Sequence, residues 1–175
     1  MQRTKHEKIR PVALLYELRM AVSEILNKRF TERIDHKAFR PDQKVLAIWA
    51  EDCAKRVLPY FEESYPNDER PRNAIYALHE WVRTGKFSMA VIRNASLSAH
   101  AAAKGKHHAD AVFAAHAAGQ AVGTAHVATH SFGSSIYAIR AVAAHTGNIE
   151  DGLIKERNWQ LKRLRHLVKK MRTGS

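Results

Sequence analysis

The 175-residue sequence predicts an all-α fold, a single compact bundle of six or seven mostly antiparallel helices. Three observations carry this. Apolar residues recur at three- and four-residue intervals almost throughout, no stretch alternates apolar and polar side chains convincingly, and Gly or Pro stands where one helical stripe gives way to the next. Connections that short make consecutive helices antiparallel neighbours.

The elements follow in order. Leu15, Leu18, Val22, Ile25 and Leu26 form the stripe of a first helix, which Pro11 begins or kinks. A linker near residues 31–41 leads to a second helix from about Asp42, which buries Val45, Leu46, Ile48, Trp49 and Cys53. Pro59 is expected to bend or break it around residues 57–60. Asn67 or Asp68 is placed to cap a third helix, with Pro71 near its start, where a missing N–H costs least. That helix runs through Ile75, Leu78 and Trp81 and stops at Gly85. A fourth extends from about Ser88 to Lys104 before Gly105, a fifth from about Ala109 to Ala125, and a sixth from about Thr129 to His145 before Gly147. The last, from about Glu150 to Met171, turns Ile154, Leu161, Leu164, Val168 and Met171 inward. Residues 1–40 thus read as a basic N-terminal helical extension and residues 41–175 as the all-α domain, ending in a basic amphipathic helix.

The charge is uneven. With 29 Lys and Arg against 17 Asp and Glu the chain carries +12 before any of its 11 His is protonated. Residues 1–44 and 148–175 hold +5 each, while residues 45–99 are neutral, so the positive field belongs to the ends. Lys162, Arg163, Lys169 and Lys170 on the last helix make nucleic acid an alternative partner, although no aromatic residues interleave them as a stacking platform requires.

Several classes are excluded. Cys53 is the only cysteine, which rules out an internal disulfide or a Cys-based zinc site and fits a cytoplasmic setting. Ala111–Ile139 contains no charged residue, yet its His, Ser, Thr and Gln and its many Ala leave too little apolar surface for a membrane span. No phosphate-cradling loop, dinucleotide fingerprint, H-E-x-x-H or G-x-S-x-G string is present, so the chain reads as a non-enzyme with no cofactor.

Between Ala95 and Ala144, 18 of 50 residues are Ala, so these helices must approach closely to gain packing contacts. Gly119 and Gly123 share a face, and a neighbouring backbone is the expected occupant of the space beside them. Seven of the 11 His fall at positions 100, 107, 108, 116, 126, 130 and 145. On a continuous helix His126 and His130 would stand at i and i+4, the spacing of two metal ligands, which leaves a His-based metal-dependent hydrolase as a second alternative. Val127 stands where such a motif places Glu. His130, Tyr137 and Arg140 share a strip of the sixth helix that would suit an anion or carboxylate partner, but the expected reading is a buried network in which Arg140 pairs with a carboxylate such as Asp52 or Asp68.

Specific strings carry a resemblance. Asp52-Cys-Ala-Lys-Arg-Val-Leu-Pro59, then Asp68-Glu-Arg70-Pro71-Arg72 with Trp81 and Gly85, then Ala99-His100, Ala118-Gly-Gln-Ala121, Thr124-Ala-His126 and His130, and finally Glu156-Arg157-Asn-Trp159-Gln160-Leu161 are similar to the all-α immunity-protein family, immunity-protein-five-like, of bacterial polymorphic toxin systems. The resemblance covers about residues 45–161. It implies a small cytoplasmic protein that neutralises a cognate toxin by binding it. Because the chain is basic, that toxin is expected to present an acidic surface. The binding candidates are Arg70, Arg72, His100, His126, His130, Tyr137 and Arg140.

Overall fold

The computed structural model describes residue 20 and residues 41–147 and 149–173. The predicted first helix, Met20 apart, and the reading of residues 1–40 as an extension lie outside them. The described residues form an all-α bundle of six helices: α1 (Pro41–Ser64), α2 (Arg70–Thr84), α3 (Met89–Ala102), α4 (Ala109–Gly123), α5 (His130–Thr146) and α6 (Ile149–Thr173). Helix α4 sits at the centre, packed against α1, α2, α3 and α5, and α6 closes the bundle over α1 and α5.

Small side chains allow that crowding. Ala111, Ala114, Ala115, Ala117, Ala118 and Ala121 of α4 are buried, and meet Ala47, Ala50 and Ala54 of α1 and Ala138 and Ala141 of α5 in one core with Trp49, Phe61, Leu78, Ile92 and Leu164. Ser134 Oγ lies 3.1 Å from the Ala50 carbonyl and 3.0 Å from that of Ala117, so one hydroxyl ties α5 to both neighbours. Gln43 Nε2 donates to the carbonyls of Thr124 and Ala125, each at 2.9 Å, satisfying acceptors that the end of α4 leaves open. Cys53 is buried and free, and burial pushes its thiol up, consistent with packing. No described helix is long and apolar enough to cross a membrane.

The punctuation holds where glycine ends a helix. Gly85 and Gly147 cap α2 and α5 with φ of 69° and 62°, Gly105 takes a φ of 69° in the turn beyond α3, whose cap is Ala103, and Ser88 Oγ accepts from Val91 N to start α3. Two expectations are corrected. Pro59 does not break α1, because it falls on the exposed side, where water reaches the carbonyl it cannot bond, while buried Val57 and Phe61 hold the helix in place. Neither Asn67 nor Asp68 occupies the cap position of α2. Glu69 does, without a side-chain bond, and Asp68 instead clasps the Arg70 guanidinium at 2.8 and 2.6 Å.

Candidate functional site

Along α4, residues 112, 113, 116 and 120 stay half-buried while the rest of its middle is covered, and 113, 116 and 120 share one face. They floor a groove walled by α3 through Ser96 and His100 and by α5 through His130, Tyr137 and Arg140. Three glycines give it its shape. A methyl on Gly119 would lie 2.8 Å from His100 Nε2, one on Gly123 would lie 3.1 Å from His130 Cδ2, and one on Gly133 would lie 2.5 Å from Gln120 Oε1. Each glycine is therefore a seat for a polar side chain from another helix. The expectation of a neighbouring backbone beside Gly119 and Gly123 is corrected, since imidazole rings lie there.

The polar groups are linked. His100 Nδ1 and His116 Nδ1 stand 2.8 Å apart, so one ring donates and the other accepts. His130 Nδ1 donates to Gln120 Oε1 at 2.7 Å, and Ser96 Oγ donates to the Gly119 carbonyl at 2.9 Å. The His116 ring lies 5.0 Å from that of Tyr137, and the Arg140 guanidinium stands 5.7 Å from the Tyr137 ring and 5.9 Å from Phe113. Burial lowers the pKa of His100, with His116 and His130 adding to it, and burial alone lowers that of His116. Burial and the nearby His126 lower that of His130. The three rings are neutral near pH 7.

Arg140 is exposed and pairs with no carboxylate among the described residues. Its expected pairing with Asp52 or Asp68 is corrected: Asp52 accepts from Arg163 Nε at 2.8 Å and Asp68 binds Arg70. Nor are His126 and His130 on one continuous helix. Turns after Gly123 separate α4 from α5, His130 begins α5, and the two rings sit 5.3 Å apart in a tilted contact. Among the described residues no three His, Cys, Asp or Glu are placed to share a metal ion.

The structure thus brings together His100, His126, His130, Tyr137 and Arg140 and leaves Arg70 and Arg72 elsewhere. Arg72 Nε donates to Glu62 at 2.7 Å, bracing α2 against α1, and Arg70 is spent on Asp68, whose carboxyl its hydrogen bonds hold below the usual range. His116 and Gln120 are the members that sequence reasoning missed. Their signal was the spacing 116, 119, 120 and 123, the one face of an Ala-rich helix that carries His, Gly and Gln.

The matched C-terminal string has a different task. Trp49 Nε1 donates to the Gln160 carbonyl at 2.9 Å, Gln160 Nε2 donates to the Ser135 carbonyl at 3.1 Å and to Glu156 at 3.2 Å, and Arg56 reaches Glu156 at 3.0 Å. The Arg56 guanidinium also stacks 4.0 Å over Trp159. These bonds latch α6 onto α1 and α5. No curated protein and no solved structure matches the chain. One family model does, across residues 37–167 and so across all the helices that build the groove and the latch: the chain belongs to the Imm-5 like putative immunity protein family.

Proposed function

We propose that this protein is a cytoplasmic immunity protein that binds a cognate bacterial toxin and neutralises it by contact rather than by catalysis. Family membership over residues 37–167 is the observation that carries the reading. The groove between α3 and α5 is the contact surface, with His100, His126, His130, Tyr137 and Arg140 joined by His116 and Gln120. It combines aromatic faces, hydrogen-bonding nitrogens and an exposed guanidinium, the mixture enriched at protein interfaces. A toxin with an acidic surface fits it, because none of these residues has a carboxylate partner among the described residues. Arg70 and Arg72 serve the fold and not the contact.

The test is co-expression with a toxin encoded beside the gene. Growth should be restored and the two proteins should copurify; absence of both protection and complex rejects the reading. A second reading, contact with nucleic acid, is favoured by the exposed Lys155, Lys162 and Lys169, which recur every seven residues along α6 next to Lys170. Arg163 is less available, being held by Asp52. Binding through this face would weaken steeply with salt and on neutralising Lys162, Lys169 and Lys170.

A further inference from the structure

The groove is a cluster of bases without an acid. His100, His116, His126 and His130 arrive from α3, α4, the α4–α5 turn and α5, and Tyr137 and Arg140 complete it from α5. No carboxylate among the described residues acts on His100, His116 or His130. The one acid these helices carry, Asp110 at the start of α4, is already bound by His145 Nδ1 at 2.9 Å and by the Ala111 N–H at 2.8 Å. Gly119 and Gly123 are one helical turn apart, so the rings they seat, His100 and His130, also stand about one turn, roughly 5–6 Å, apart along α4.

We propose that this groove is a receptor for a carboxylate side chain of the partner, an Asp or Glu inserted beside the His100–His116 pair and His130, and that the protein takes up protons as that carboxylate binds. The partner's identity as a toxin rests on the family reading above; the chemistry of the site rests on the geometry.

Proton bookkeeping follows from the hydrogen bonds. In the His100–His116 pair one Nδ1 carries the proton and the other accepts it. That pair takes one further proton on the donating ring's Nε2 and keeps its bond; a second would set two N–H groups head to head. His130 keeps its Nδ1 proton in the hydrogen bond that it donates to Gln120 Oε1, which leaves Nε2 to gain the next. Uptake of one to two protons is therefore expected. Burial makes the imidazolium forms unfavourable in the free protein, and an incoming carboxylate restores the lost stabilisation through charge-assisted hydrogen bonds. Gly119, inside α4, is about 1 kcal/mol worse there than Ala, and with Gly123 at the end of α4 and Gly133 in the first turn of α5 it leaves room for these polar groups to sit down.

The experiment follows the imidazole Cε1–H resonances of the full chain by NMR while a hexaglutamate peptide is added at pH 6 and pH 8, with hexaglutamine and inorganic phosphate as separate arms. The His100, His116 and His130 signals should shift saturably with hexaglutamate at pH 6. Affinity should fall about tenfold per pH unit for each proton taken up across the range where the rings titrate. Hexaglutamine should leave them in place, and phosphate should bind more weakly than the peptide.

Gly119→Ala displaces the His100 ring while favouring α4, and should weaken the peptide about tenfold, the worth of one charge-assisted hydrogen bond. His130→Asn is the independent second variant and should do the same. Imidazole signals that ignore the peptide, an affinity independent of pH, or phosphate binding as tightly as hexaglutamate overturns the proposal. A toxin complex formed by a protein whose groove ignores the peptide overturns this proposal and leaves the immunity reading intact. Peptide binding with no toxin complex does the reverse.

Discussion

The α6 latch and the α3–α5 groove are built from comparable numbers of polar side chains, and they differ in one respect, the presence of acid. In the latch the basic groups meet carboxylates: Arg56 binds buried Glu156, and Arg163 binds Asp52. In the groove the imidazoles bind one another or an amide. Polarity that is charge-balanced within the chain holds helices together at little further cost. Polarity left unbalanced is stable only while its bases stay neutral, and it improves when something outside supplies the missing charge.

This contrast can be broken from the latch side first, where the largest effect is expected. Glu156→Gln keeps the shape but sets an amide donor against Arg56 and Gln160 Nε2 in a buried site, and should cost about 2 kcal/mol of unfolding free energy. Chemical denaturation at pH 7.5 measures it, and a loss below about 0.5 kcal/mol, the range of ordinary surface changes, would mean that the latch does not hold α6.

The groove gives the next effect, through pH. His100, His116 and His130 have lowered folded-state pKa values, so below the unfolded histidine value of about 6.5 the unfolded chain binds protons that the folded chain refuses. Their contribution is complete above that pH and is lost as pH falls through the folded values. The melting temperature should therefore drop as pH falls below about 6.5, and His116→Asn should flatten that slope. Asp68 and Asp110 also have lowered values, and act in a separate window below about pH 4. A melting temperature flat from pH 7 to 5, or a slope unchanged by His116→Asn, would remove the contrast between the two regions. The smallest effect belongs to the exposed edge of the latch: Asp52→Asn breaks a part-exposed, screened pair and should cost at most about 1 kcal/mol in the same denaturation experiment.

The fold was legible because its signals are local. Gly85 and Gly147 end helices through their own backbone freedom, and the apolar stripes of α1, α2 and α6 need only their own sequence. Pro59 misled because the cost of an interior proline depends on which side of the helix it faces. The site was half legible. Five of the seven binding candidates converge on the groove, but what lies over Gly119 depends on how far α3 slides along α4, which no local pattern reports. Arg70 and Arg72 stood out as a string yet fasten the corner between α1 and α2, and the pairing of Asp52 with Arg163 was invisible across 111 positions.

The three seats have a consequence for how this surface can change. A seat and its occupant form a lock of two parts on different helices: Gly119 with His100, Gly123 with His130, Gly133 with Gln120. Replacing an occupant alone leaves a bare notch, and filling a seat alone evicts its ring or amide. With the groove as the proposed contact surface, a new partner preference is reached most smoothly by exchanging both halves of a lock together, so the groove can be re-keyed one lock at a time while the latch keeps the bundle closed.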